Sequence, residues 1–120
     1  LIYSNPSYGS SVRKMGEFSP GKKKTIKLIA NASKDKTILA ISGDRHRSGI
    51  YQNEDFIEIT ASSLNKSASK NIETDPLLIG KTYPIKNFGI LDIEPSKNKV
   101  TVSIHDQNGL ELNSKIINID

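Results

Sequence analysis

With 120 residues the chain has room for one modest hydrophobic core, and an apolar fraction of 35% is lean for a self-sufficient domain. A net charge of +4 carried mostly by scattered lysines, 6% aromatic residues and no tryptophan argue against a nucleic-acid surface as the main role. The chain has no cysteine, so it forms no disulfide and no thiolate metal site, and no apolar run approaches the ~20 residues a membrane-spanning helix needs.

Residues 1–16 mix Ser, Asn, Pro and Gly without a sustained period and read as an irregular lead-in. Because the first residue is Leu1 rather than methionine, the chain is expected to be a piece of something longer. A helix then starts cleanly. Ser19 suits the N-cap, Pro20 suits the first helical position, and Ile26, Ile29 and Ala30 recur at helical spacing. Lys22, Lys23, Lys24 and Lys27 fall largely elsewhere on that surface and read as its solvated face.

Residues 37–42 form an apolar strand, the pattern of an inner strand covered on both faces, and it runs directly into Gly43-Asp44-Arg45-His46-Arg47-Ser48. A carboxylate and an imidazole two residues apart at a strand end are good ligands for borderline metal ions. If the extended conformation persists through the loop, Asp44 and His46 point to one spot, and Gly43 would supply the turn that aims them. The plainer alternative is that Asp44 caps a turn and His46 is an ordinary surface histidine. A full centre needs more donors than His46, His105 and one carboxylate provide.

Residues 56–60 read as the next strand, with Ile57 and Ile59 on one face, reached through a connection over 48–55. The stretch 61–86 is polar, aperiodic and long for a loop. Three strands over 88–93, 99–105 and 110–117 follow, joined by residues 94–98 and by Asp106-Gln107-Asn108-Gly109, whose Asn-Gly is a hairpin signal. Val100, Val102 and Ile104 alternate with Thr101 and Ser103, giving one core face and one wet face. His105, at the mouth of this hairpin, is expected to stabilise the turn rather than bind metal.

The run Ile38-Leu39-Ala40-Ile41-Ser42-Gly43-Asp44-Arg45-His46 resembles the late metal-binding motif of alkaline phosphatase D-type (PhoD-like) metallophosphatases of the calcineurin-like phosphoesterase superfamily. Gly16-Glu17-Phe18-Ser19-Pro20 before a basic helix, Ile57-Glu58-Ile59-Thr60-Ala61-Ser62-Ser63-Leu64, and Asn87-Phe88-Gly89-Ile90-Leu91-Asp92-Ile93 resemble further segments of that family in the same order. The resemblance implies an α/β fold, α+β as an isolated piece. It would be the C-terminal part of a four-layer αββα sandwich, a mixed sheet with one main helix and a terminal antiparallel meander. Residues 1–120 are then a single partial domain, with 87–120 as its closing β-meander.

The implied function is part of a metal-dependent phosphate ester hydrolase, a phosphomonoesterase or phosphodiesterase. Asp44 and His46 would be metal ligands for calcium, iron, zinc or manganese ions, singly or mixed, and His46 alternatively a catalytic leaving-group acid. Arg45 and Arg47 would face the substrate phosphate, or else form surface ion pairs. Thr60, Ser62 and Ser63 either line the pocket or serve as turn residues. The remaining N-terminal portion of the catalytic domain would supply the other ligands, so the isolated chain is expected to be inactive, and the family suggests a periplasmic or secreted protein. The competing expectation is a non-enzymatic β-rich binding or assembly module. As an incomplete sandwich the chain would leave apolar sheet surface uncovered and favour homo-oligomers, whereas the competing module is expected to be a stable monomer.

Overall fold

The computed structural model describes residues 2–3, 20–43, 46–54, 56–67 and 74–119. Its one α-helix among them, α1 (Pro20–Ala32), begins at the proline, where the missing N–H costs nothing because no intrahelical acceptor awaits it. The helix closes with the Ser33 N–H donating to the Ile29 carbonyl at 2.9 Å and the Ser33 hydroxyl donating to the Ala30 carbonyl at 2.9 Å. Ile29 is buried in a small cluster with Ala40 and Phe56, while Lys24 and Lys27 are exposed.

Eight strands carry the rest of the regular structure: β1 (Ile2–Tyr3), β2 (Leu39–Ser42), β3 (Ser48–Gln52), β4 (Ile57–Ala61), β5 (Leu78–Tyr83), β6 (Asn87–Glu94), β7 (Lys99–Asp106) and β8 (Glu111–Asn118). The first five form one sheet in the order β1-β2-β4-β3-β5, the last three a second sheet in the order β6-β7-β8. In the first sheet β1, β2 and β4 are parallel, and β3 is antiparallel to both β4 and β5. Register places Ala40, Glu58 and Tyr51 across one face and Ile41, Ile59 and Ile50 across the other.

The isoleucine face packs on the second sheet. Ile50, Ile57, Ile59, Val100, Val102, Ile104 and Ile117 make one buried cluster, so the alternation in β7 is what glues the layers. A Cβ on Gly89 would stand 3.2 Å from the Ala61 Cβ, so the absence of a side chain there lets β6 approach β4. Two side-chain bonds stitch the sheets at the other flank: the Tyr83 hydroxyl donates to the Leu112 carbonyl at 2.5 Å, and the Asn113 amide donates to the Ile79 carbonyl at 2.9 Å.

The expected α/β architecture, a four-layer αββα sandwich, is overturned by this arrangement. The described residues hold one 13-residue helix against eight strands, making a small β-rich domain of two packed sheets. Three strands lie in stretches read as irregular: β1 in the lead-in 1–16, β3 in the connection 48–55 and β5 in the loop 61–86. β3 is buried at four of its five positions and so shows no alternation. β5 carries Gly80 at φ +77 and a register shift against β3, a bulge that breaks the two-residue period.

The turn from β6 to β7 is a single 3₁₀ turn over Pro95–Lys97, closed by Asn98 in left-handed backbone at φ +47. Glu94 accepts from both Lys97 and Lys99 there. Hydrogen bonds from these two ammonium groups hold the Glu94 carboxyl below its ordinary value, and the same bond raises Lys97.

Candidate functional site

Because β2 and β4 are parallel and antiparallel β3 starts beside the end of β4, one end of the first sheet gathers Ser42, Thr60, Ala61 and Ser48, with Ser42 opposite Thr60 and Ser48 opposite Ala61. The loop from Gly43 to Arg47 leaves from and returns to this end. Crevices at the carboxyl ends of parallel strands are common ligand sites, because strand-end side chains converge there while the sheet holds them rigidly.

His46 is exposed and adopts φ +51. Left-handed backbone costs a residue with a Cβ roughly 1–2 kcal/mol, so a non-glycine residue held there at a strand end marks stored strain. Gly43 is not among the described glycines with positive φ. His46 itself is in left-handed rather than extended backbone. Asp44 and Arg45 lie outside the described residues. Arg47 is half-buried, and its carbonyl accepts the Ser62 hydroxyl at 3.2 Å.

Near the loop several polar side chains are buried. Ser42, Ser48, Thr60, Ser63 and Asn87 are buried, and the four hydroxyl oxygens and the Asn87 Oδ1 meet no hydrogen-bond partner among the described residues. Buried polar atoms are normally paired, and leaving one unpaired costs about 1–3 kcal/mol. Glu58 is 1% exposed on the neighbouring part of the helix-side face.

Thr60, Ser62 and Ser63, left open between pocket and turn, separate here. Thr60 is an internal strand residue, Ser62 holds the loop, and Ser63 bridges to Asn87 with its carbonyl accepting the Asn87 N–H at 3.1 Å. Asn87 belongs to this end as well, its side-chain amide donating to the carbonyls of Tyr83 at 3.3 Å and Ile85 at 2.6 Å. Its place under the loop was not visible in the spacing, because it arrives from the second sheet.

His105 sits elsewhere and is fully engaged. Its Nδ1 lies 3.1 Å from the Gly109 carbonyl, which can only accept, so Nδ1 carries the proton and Nε2 accepts from the Ser103 hydroxyl at 2.9 Å. The ring stacks on Phe88 at 5.5 Å. Among the described residues no group of three His, Cys, Asp or Glu side chains could hold a metal ion. The described residues thus do not by themselves fit a metal centre. A wider cleft of about 370 Å³ opens at the opposite end of the sheet, between Lys36, Gln52, Asn53 and Phe56.

No family model matches the chain, and no curated protein matches it. Among solved structures it is similar to GAP50, the anchor in the inner membrane complex of Plasmodium, with a TM-score of 0.76 and 18% identity. The likeness covers all of this chain and 37% of that one. At this identity it speaks for the fold alone.

Proposed function

We propose that the chain supplies one loop, residues 43–47, to the site of a phosphate ester hydrolase whose remaining ligands lie outside these residues. The observation that carries the reading is His46, an imidazole held in left-handed backbone where parallel strands end over buried, unpartnered hydroxyls. Asp44 and His46 are the candidate donors to a divalent cation, and Arg45 and Arg47 the candidate partners of the phosphate oxygens, since guanidinium matches them with paired hydrogen bonds. The resemblance of Ser42-Gly43-Asp44-Arg45-His46 to the PhoD-like motif supports the same reading.

The test is turnover of p-nitrophenyl phosphate and bis-p-nitrophenyl phosphate by the natural polypeptide that carries this chain, beside its His46→Ala variant. The expected result is a loss of at least ~100-fold in kcat, the scale of removing a general catalyst or comparable group. Equal turnover in the two proteins, or none with either ester, overturns the reading.

A specific observation favours a second reading, a non-enzymatic module that assembles with copies of itself. Leu91 and Ile93 are 40% and 55% exposed although register puts them on the same side as the core residues Val102 and Val100. Beside them a cavity of about 160 Å³ opens between the sheets, lined by Ile41, Ile59, Ala61 and Leu91. Edge strand β6 thus presents apolar side chains and unpaired backbone together. Sedimentation of the purified chain decides it: a concentration-independent monomer removes this reading.

A further inference from the structure

Asn87 begins β6 in the second sheet, yet its side chain reaches back to the end of β5 in the first. Its Nδ2 donates to the Tyr83 carbonyl at 3.3 Å and to the Ile85 carbonyl at 2.6 Å. Carbonyls only accept, so these two bonds fix which end of the amide is nitrogen and leave Oδ1 as an acceptor. Asn87 is 1% exposed, and its Oδ1 meets no donor among the described residues.

Two hydroxyls in the same condition stand beside it. Ser63 forms a β-bridge with Asn87. Ser48 pairs with Tyr83, whose carbonyl the Asn87 amide holds, and with Ala61, two residues before Ser63. Register puts Ser48 and Ala61 on the face of Ile50 and Ile59, the one that packs on the second sheet. Ser48 and Ser63 are fully buried, and neither hydroxyl meets a partner among the described residues. Buried polar atoms are normally paired, so three orphans on neighbouring residues call for one shared partner.

We propose that Ser48, Ser63 and Asn87 enclose a buried water site that ties the two sheets together at this end. Asn87 Oδ1 accepts one of the water's protons, and each hydroxyl, able to donate and to accept, meets its oxygen or its second proton. One bond to each group matches the ~3 typical of an internal water. A cation suits these atoms poorly, because three neutral oxygens fall short of the about six to eight that calcium takes. The buried carboxylate of Glu58 lies on the opposite face of the sheet and cannot make up the charge. The site does not rest on the hydrolase reading.

The experiment is a crystal structure with ordered internal solvent of the natural polypeptide that carries the chain, beside urea melts of Ser48→Ala, Ser63→Ala and the double variant. The expected result is a solvent peak within hydrogen-bond distance of Ser48 Oγ, Ser63 Oγ and Asn87 Oδ1. Each single variant should lower the folded-to-unfolded ratio about fivefold, the scale of one hydrogen bond. The double variant should depart from the product of the two by at least about twofold, because both hydroxyls act on one molecule. A hydroxyl bonded directly to Asn87 Oδ1, a peak touching fewer than the three groups, or single effects that simply multiply overturns the proposal. Turnover enters none of these outcomes, so the site and the hydrolase reading fail separately.

Discussion

At the 106–109 turn the left-handed backbone falls on Gly109, φ +86, and a Cβ there would meet nothing within 4 Å. Asp106 Oδ1 accepts from the Asn108 and Leu110 amides, the Asp106 carbonyl accepts from Gly109, and both nitrogens of the His105 ring are bonded. At the 43–47 loop the left-handed backbone falls instead on His46, φ +51, above buried hydroxyls with no partner among the described residues. The first turn satisfies local chemistry at every level. The second sets a left-handed histidine close in sequence to buried hydroxyls that no described residue pairs.

The largest expected effect that would break this contrast is at His46. If the loop is functional, His46→Ala and His46→Gly both abolish most turnover, yet the glycine variant should be the more stable of the two by about 1 kcal/mol in urea melts, because only glycine adopts φ +51 freely. Equal stabilities would mean that the backbone relaxes and stores no strain.

Gly109→Ala probes the other turn and should lower stability by about 1–2 kcal/mol, since the alanine Cβ must enter left-handed backbone although space for it is open. Gly43→Ala should be close to neutral, because its new methyl would sit in ordinary contact with Ser62 at 3.7 Å. A reversal of this order in thermal melts would refute the assignment of the two turns.

Thr60→Val sharpens the comparison further. Replacing an unpaired buried hydroxyl by a methyl of the same shape should leave stability unchanged or raise it by up to about 1 kcal/mol. A clear loss in a denaturant titration would show that the hydroxyl has a partner after all.

The smallest effect belongs to Glu94. Its carboxyl is held below the ordinary 4.5 by hydrogen bonds from Lys97 and Lys99, so the folded state favours the ionised form. The resulting stabilisation is present above the ordinary carboxylate value and is lost as pH falls through the lower folded value. Because the group is exposed, the effect is small and screened by salt. Glu94→Gln should slightly flatten the acid limb of the stability curve, and an unaltered limb would show that the two lysines contribute nothing measurable.

Much of the local structure was legible. Pro20 announced the first turn of α1, the apolar run before Gly43 became β2, and the alternation of Val100, Val102 and Ile104 located β7 and its core face. Other parts were not. Gly49 in a strand buried at four of five positions hid β3, and the bulge at Gly80 hid β5 within a polar stretch. Those two antiparallel strands are the reason the layered α/β expectation gave way to two packed β-sheets.

At the candidate site the residue types were visible but their arrangement was not. Adjacency along the chain determined the helix start, the strand periods, the hairpin at Asn108-Gly109 and the presence of an acid and an imidazole after β2, because each depends on neighbours a few positions away. Tertiary structure alone decided that Ser62 donates to the Arg47 carbonyl and that Asn87 of the second sheet bridges to Ser63. These are contacts between segments 15 or more residues apart, set by sheet order and packing, and no local preference encodes them.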